Sequence, residues 1–475
     1  MTTIQRRRVS RRRLLRLATG VAAGAPLVRA QAGPGRPNLI FLLGDDHRWD
    51  ALGCMGNRII RTPNIDAMSR EGVTFTNNFV TTSICMTSRA SLFTGLYARS
   101  HGINDFTTPF TGQQYARIYP VALRMAGYRT GFIGKWGVGD QMPRERFDYF
   151  AGFPGQGHYF PKRPDTSVHL TEVMGAQSIE FLRGCTPAQP FCLSVSFKAP
   201  HVQDDDPLQF LHSRKTADLY RDVEIPVPKT AAAEYIRRLP PEVQRSECRR
   251  RWAVRFATPE LFQESVKSYY RLITEIDMVA GRIREELRRM KVEDDTVVVY
   301  TGDNGFYLGE HGLAGKWLMH EESIRTPLVV FDPRLPADVR GGRRAEMTLN
   351  IDVAPTLLGL AGVAAPPMQG RDLAPLIRGE KPRWRSEWFY EHLFQHNWIP
   401  RTEGLRTETR KYFRYLDAQP PAEEMYDLSA DPLEERNLAR EDGHRARCDE
   451  MAARCDQWIR ALSEWTPNRS WREPS

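Results

Sequence analysis

The sequence predicts an α/β fold, a sheet between helical layers, followed by a smaller antiparallel sheet with one helix. Three observations carry this. Near-continuous apolar runs recur along the first three quarters of the chain and end in polar residues, as strands covered on both faces do. Helical stretches lie between them, the alternation that builds an α/β sheet. Beyond about residue 370 the pattern changes to strand-like segments with no long helix between them.

The first run, "NLIFLLGDD", has five apolar residues and closes on Asp45 and Asp46. "YRTGFIGKWG" closes on glycine, Lys135 and tryptophan, and "PFCLSVSFKAPH" closes on His201. "DTVVVYTGDNG" closes on Asp303 and Asn304. The clearest helix runs from Leu261 to Met290, where Val266, Tyr269, Ile273, Ile276, Ala280, Ile283 and Leu287 keep a 3–4 spacing. A coiled coil would share that spacing, but one helix in a strand-rich chain is more simply a layer on the sheet. In the last part, "SEWFYEHLF", "GLRTETRKYFRYL" and "EEMYDL" read as strands. A final helix spans about Gly443 to Leu462, with Cys448, Met451, Cys455, Trp458 and Leu462 on one face. That face reads as core, so Cys448 and Cys455 are packing residues rather than ligands.

The 475 residues hold 67 basic and 58 acidic side chains, a formal charge of +9. The excess is local: residues 1–30 carry eight arginines and no acid, and the remainder is near neutral at +1. A nucleic-acid footprint is therefore not expected. Residues 1–32 combine "SRRRLLR", the apolar "LATGVAAGAPLV" and the small residues of "VRAQA". This order resembles a twin-arginine export signal cleaved after Ala30 or Ala32, against the alternative of a disordered basic tail. Export to the periplasm or the exterior follows, with the twin-arginine machinery as a partner and no membrane anchor in the mature chain. Seven cysteines cannot all pair within the chain, and none forms a C-x-x-C metal motif. "QRSECRRRWAVRF" (244–256) reads as a solvated loop or helix face, or as a surface for an anionic polymer.

In an open α/β sheet, ligands bind beyond the carboxyl ends of the strands. There the chain offers Asp45, Asp46, Asp303 and Asn304, a hard-oxygen set that selects Ca²⁺ or Mg²⁺ over zinc. Either pair alone is also a common turn; two pairs behind two apolar runs favour a metal site. Arg89, Lys135 and Lys316 are candidate cations for an anionic substrate, and His201 is a candidate acid or base. "SICMTSRASLFTG" (83–95) reads as a loop entering a helix, with Thr87 or Ser88 suited to its start. Cys85 and Arg89, four apart, would then face one pocket at a helix N-terminus, where negative charge is favoured.

Taken together these stretches resemble the sulfatase family of the alkaline phosphatase superfamily. The resemblance spans about Asn38 to Leu438. It rests on "LLGDDHRWDALGC", "TPNIDAMSREGVTFTNNFV", "CMTSRASLFTGLYARSHGI", "GYRTGFIGKWG", "SFKAPH", "TGDNG", "LGEHGLAGKW" and "EMYDLSADPLEERNLA" in the expected order. It implies an alkaline-phosphatase-like mixed sheet in a catalytic domain over 36–370 and a C-terminal subdomain over 371–475. It implies that Cys85 is converted to formylglycine by a dedicated machinery, and that Asp45, Asp46, Asp303 and Asn304 hold calcium together with residue 85. Arg89 would support the formylglycine hydroxyl, Lys135 and Lys316 would bind sulfate, and His201 would assist the leaving oxygen. Two positions depart from the pattern: Thr87 stands where the motif has proline, and Gly137 where it has histidine. Glu391, His392 and Arg406 are candidate substrate contacts near the mouth, or else braces between the two sheets. The expected substrate is a carbohydrate sulfate ester, with aryl sulfates next. The competing readings are a phosphate or phosphonate monoester hydrolase on the same scaffold and a sulfated-glycan binder without the aldehyde.

Overall fold

A computed structural model of the chain describes residues 35–160 and 168–474; the segment 1–32 read from the sequence as an export signal lies outside them. Strands β1 (Asn38–Asp45), β2 (Val73–Phe79), β3 (Arg129–Lys135), β4 (Tyr149–Phe153), β5 (Phe191–Pro200) and β6 (Thr296–Gly302) belong to the main sheet. A two-residue hairpin pairs β7 (Tyr307–Leu308) with β8 (Ala314–Gly315). The main sheet also takes β9 (Arg325–Phe331), β10 (Gly342–Arg344) and β11 (Thr348–Leu349). Its order is β10-β2-β9-β6-β1-β5-β3-β4, with β11 also on β2. The strands β6-β1-β5-β3-β4 are parallel neighbours, while β9 runs antiparallel to β2 and β6, so the sheet is mixed.

Alternation along β1 explains the two helical layers. Ile40 and Leu42 enter one apolar cluster with the helices Leu170–Arg183 and Pro259–Arg289. Leu39, Phe41 and Leu43 enter another, with Leu92 and Phe93 of the helix Cys85–Thr94 and Val353, Leu357 and Leu358 of the helix Val353–Leu360. Both faces are covered, which is why the runs are apolar throughout. The long helix starts at the Thr258 cap, whose hydroxyl accepts from Leu261 N at 3.2 Å, with Pro259 in its first turn.

The chain then builds a four-stranded antiparallel sheet from β12 (Glu387–His392), β13 (Thr402–Thr407), β14 (Arg410–Tyr415) and β15 (Ala422–Asp427). The helix Arg445–Glu464 packs on it through Cys448, Met451, Cys455, Trp458 and Leu462, all buried. All seven cysteines are free. No helix among the described residues is long and apolar enough to cross a membrane.

Burial also sets an acid limit on the fold. It pushes the imidazoles of His47, His101 and His392 down to about 3, whereas an unfolded histidine titrates at about 6.5. Between these values the unfolded chain binds more protons, so the stabilisation is complete above about pH 6.5 and is lost as pH falls towards 3. Three such groups give a slope of up to about 4 kcal/mol per pH unit. Urea midpoints measured from pH 7 to pH 4 should fall steadily; a flat profile would show that these rings accept protons without unfolding.

Candidate active site

Strand register assembles the site. Gly44 of β1 pairs with Gly302 of β6, so Asp45–Asp46 and Asp303–Asn304 leave adjacent strand ends. Pro200 of β5 pairs with Asp45 on the other side, which sets His201 beside them. Lys135 ends β3, and the helix Cys85–Thr94 points its first turn at the same edge. Asp46 takes a left-handed conformation (φ 64°) that aspartate tolerates better than most residues. Its N–H donates to Asp303 Oδ1 at 3.0 Å.

The predicted catalytic and metal residues converge. Lys135 Nζ donates to Asp45 Oδ2 at 2.6 Å, and Lys316 Nζ is paired with Asp46 Oδ1. Arg89 Nε donates to Asp303 Oδ2 at 2.8 Å, and its Nη1 donates to the Lys135 carbonyl at 2.8 Å and to Ser196 Oγ. Asn304 Nδ2 donates to Asp46 Oδ1 at 2.6 Å. His201 Nδ1 lies 2.7 Å from the Val202 carbonyl, an acceptor only, so the proton is assigned there and Nε2 faces Asp46 Oδ2 at 3.6 Å. Tyr159, whose hydroxyl donates to the His201 carbonyl at 2.6 Å, fixes this turn from behind.

Burial raises all three carboxylates, and their neighbours decide the outcome. Asp45 ends well below the usual range, because the charges of Lys135, Arg89 and Lys316 outweigh its desolvation. Asp46 is raised by burial and by the charge of Asp45, against Lys316. Asp303 is pushed up to about 7 by burial and then by Asp45. Burial and Lys316 hold the His201 imidazole well below its ordinary value, so it is neutral near pH 7.

The donor set fits a hard divalent cation. Asp45 Oδ1 and Asn304 Oδ1 are buried oxygens with no hydrogen-bond partner, and both belong to residues read as ligands from the sequence. One ligand atom each from Asp45, Asp46 and His201 lies within 4.8 Å of the others. Unpaired oxygens crowded in a dry site are costly unless a cation takes them.

The helix start differs from expectation. It begins at Cys85, not at Thr87 or Ser88, with Ile84 at the cap position and no side-chain cap. All ten of its residues are buried, so packing replaces capping. Ser88 Oγ instead donates to the Asp303 carbonyl, and Thr87 Oγ1 has no partner. At Gly137 the backbone is left-handed (φ 74°), and a Cβ there would meet Arg89 Cδ at 2.5 Å.

A cavity of about 210 Å³ opens on Cys85, Asp46, His201 and Lys316. Glu391, His392 and Arg406 do not line it, and Glu391 and Arg406 act as braces instead. Glu391 accepts from Arg99 N at 2.7 Å and Arg99 Nε at 3.0 Å, and Arg406 pairs with Glu321 at 3.1 Å. His392 is fully buried with neither ring nitrogen partnered. The C-terminal sheet reaches the mouth through Phe394, His396 and Ile399, in the loop after β12. Sequence reasoning also missed Gln156. Its Oε1 accepts from Lys135 at 2.6 Å and its Nε2 lies 4.0 Å from Cys85 Sγ. No strand end or motif marked it. Arg251 and Arg255, from the segment read as a solvated face, line the cavity as well.

The sulfatase family model matches residues 37–363, and the model of the N-sulphoglucosamine sulphohydrolase C-terminal region matches residues 309–461. The chain is 28% identical over 473 residues to the N-acetylglucosamine-6-O-sulfatase of Bacteroides thetaiotaomicron, covering 85% of this chain and 82% of that one. It is 26% identical over 456 residues to the arylsulfatase of Clostridium perfringens, covering 86% and 92%. A solved protein in complex with its substrate D-glucosamine-2-N,6-O-disulfate superposes with a TM-score of 0.78 at 25% identity, over 92% of this chain and 100% of that one. The phosphonate monoester hydrolase of Agrobacterium radiobacter shares the fold, with a TM-score of 0.69 at 22% identity over 90% and 95%. With the family model spanning more than half of its residues, the chain belongs to the sulfatase family of the alkaline phosphatase superfamily and is a sulfuric ester hydrolase.

Proposed function

We propose that this protein is an exported sulfatase that hydrolyses sulfate monoesters of carbohydrates, with residue 85 as formylglycine and Ca²⁺ as cofactor. The observation that carries the reading is the bonded cluster of three buried carboxylates, Asn304 and three buried cations beside a cavity lined by Cys85, Asp46, His201 and Lys316. Residues 36–370 would form the catalytic domain, and residues 371–475 a subdomain that closes the mouth. Residues 1–32 would direct twin-arginine export.

Asp45, Asp46, Asp303 and Asn304 would hold the calcium, which supplies Lewis acidity at the sulfate oxygens. Formylglycine at residue 85 supplies, as its hydrate, the oxygen nucleophile for sulfur. The chain's own charges set the balance. Asp45, Asp46 and Asp303 are matched one for one by Arg89, Lys135 and Lys316. A divalent cation therefore leaves a surplus of at least two positive charges, with the buried Lys198 close by as a further cation, for an anionic ester and for the charge that builds on its leaving oxygen. Lys135 and Lys316 present that surplus to the sulfate. Arg89 holds Asp303 in place, and Gln156 holds the Lys135 ammonium next to residue 85. With Nδ1–H held by the Val202 carbonyl, His201 Nε2 is the free basic nitrogen; it would first take up a proton there and then pass it to the leaving oxygen.

Two measurements test this. In protein from its native host, the peptide containing residue 85 should weigh about 18 Da less than the cysteine form, the difference between cysteine and formylglycine. Matched sulfate and phosphate esters should be turned over with a clear preference for sulfate. Thiol throughout would favour a sulfated-glycan binder, and a phosphate preference would favour a phosphomonoester or phosphonate hydrolase.

A further inference from the structure

Beyond the reactive end of the cavity stands a wall that the chemistry above does not use. It comes from the helix Glu247–Arg255, "ECRRRWAVR", which carries four arginines and one acid. The helix is locked onto the sulfate-binding segment: Cys248 Sγ donates to the Lys316 carbonyl at 2.8 Å, and the Arg251 guanidinium lies over the Trp317 ring at 5.3 Å. Arg251 and Arg255 both line the cavity, together with Asp204 and Glu247.

Of these two, Arg255 is short of negative charge, whereas Arg251 is well paired. They share a single carboxylate oxygen, Asp204 Oδ1, at 2.5 Å and 2.9 Å. Arg251 has Glu247 besides, at 2.8 Å, but Glu247 is also 3.7 Å from Arg250. The remaining bond of Arg255 goes to a neutral group, Gln209 Oε1 at 3.1 Å, and its Nη1 has no partner. Arg255 is only 2% exposed. A guanidinium buried with half a counter-charge is expensive; burial and the charge of Arg251 accordingly pull Arg255 down to about 10. An oxyanion on the cavity wall would supply what is missing, through charge-assisted hydrogen bonds.

We propose that Arg251 and Arg255 form a second anion subsite, and that the preferred substrate is a sugar sulfate bearing a further anionic group, a carboxylate or a second sulfate. The inference rests on the carbohydrate reading of the site. At about 210 Å³, the cavity is smaller than the roughly 300–1,000 Å³ of drug-sized pockets. It therefore suits one ring, and the second anion lies on the sulfated ring or its immediate neighbour.

The test is binding rather than turnover, so that loss of the nucleophile does not confuse it. Full-length protein carrying Cys85→Ala, in calcium, is titrated calorimetrically with glucosamine 6-O-sulfate, glucosamine 2-N,6-O-disulfate, a 2-O-sulfated uronic acid and an aryl sulfate. At least one doubly anionic sugar should bind about 10-fold or more tighter than the monosulfated one, as charge-assisted hydrogen bonds of 1.5–3 kcal/mol imply. Whether it is the disulfate or the uronate identifies the anion. Adding Arg251→Ala, at a half-buried position, should bring the ratio within about 2-fold. Arg255→Lys, which keeps the charge but loses the fork, should shrink it partly. Equal affinities for singly and doubly anionic sugars overturn the subsite and leave the carbohydrate reading standing, and so does a ratio that survives Arg251→Ala. Binding of the aryl sulfate alone overturns both.

Discussion

Cys85→Ala is expected to reduce sulfate ester hydrolysis by about 10⁴-fold or more, the scale of losing a covalent nucleophile. The fold should survive. Cys85 is the first residue of its helix, and neither a disulfide nor a strong hydrogen bond depends on it. Removing one buried sulfur costs about 1 kcal/mol, by analogy with deleting a single methyl group. The thermal transition should then move by no more than about 3 °C. Initial rates and calorimetric scans on the same preparations check both halves. A transition that collapses would show that Cys85 is mainly structural. Cys85→Ser should also be inactive when made in a host whose converting machinery acts only on cysteine.

The second large effect is expected from removing the metal. Dialysis against a calcium chelator should lower activity by about 10²-fold or more, since the Lewis acid contributes several kcal/mol of charge stabilisation. Calcium should restore it. The same addition should raise the thermal transition, because a ligand that binds only the folded state at 100 times its dissociation constant stabilises by about 2.7 kcal/mol. The structural reason is the pair of orphaned oxygens, Asp45 Oδ1 and Asn304 Oδ1, together with the raised Asp46 and Asp303. A thermal transition indifferent to both chelator and calcium would argue that Lys135, Lys316 and Arg89 are the only counter-ions these carboxylates need.

The inner site was legible because its chemistry sits at strand ends. Buried parallel strands leave a continuous apolar signature, and whatever follows them must lie at the ligand-binding edge. Asp45, Asp46, Lys135, His201, Asp303 and Asn304 were all found that way. The outer site was not legible. Its residues come from loops and from a short helix, where neither period nor spacing says which side faces inward. The arginines of 249–255 look the same in sequence whether they meet solvent or, as Arg251 does, the Trp317 ring. Glu391 and Arg406, read as substrate contacts or as braces, take the bracing place for a related reason. Charged residues in β12 and β13 suggested a surface for substrate, but both strands are buried against the main body, and Arg99 and Glu321 neutralise those charges. The helix start at Cys85 was shifted because side-chain capping rules assume an exposed terminus, whereas this one is sealed by Ile84 and its neighbours.

Gly137 bears on how this site can be changed. Its left-handed backbone and the 2.5 Å approach of Arg89 mean that no side chain fits there while Arg89 stays as it is. Replacing Gly137 with histidine would push aside the guanidinium that anchors Asp303. The two positions are thus coupled: a side chain at 137 requires Arg89 to move. An engineer wishing to place a side chain at 137 would have to rebuild the backbone turn and the arginine's seat together.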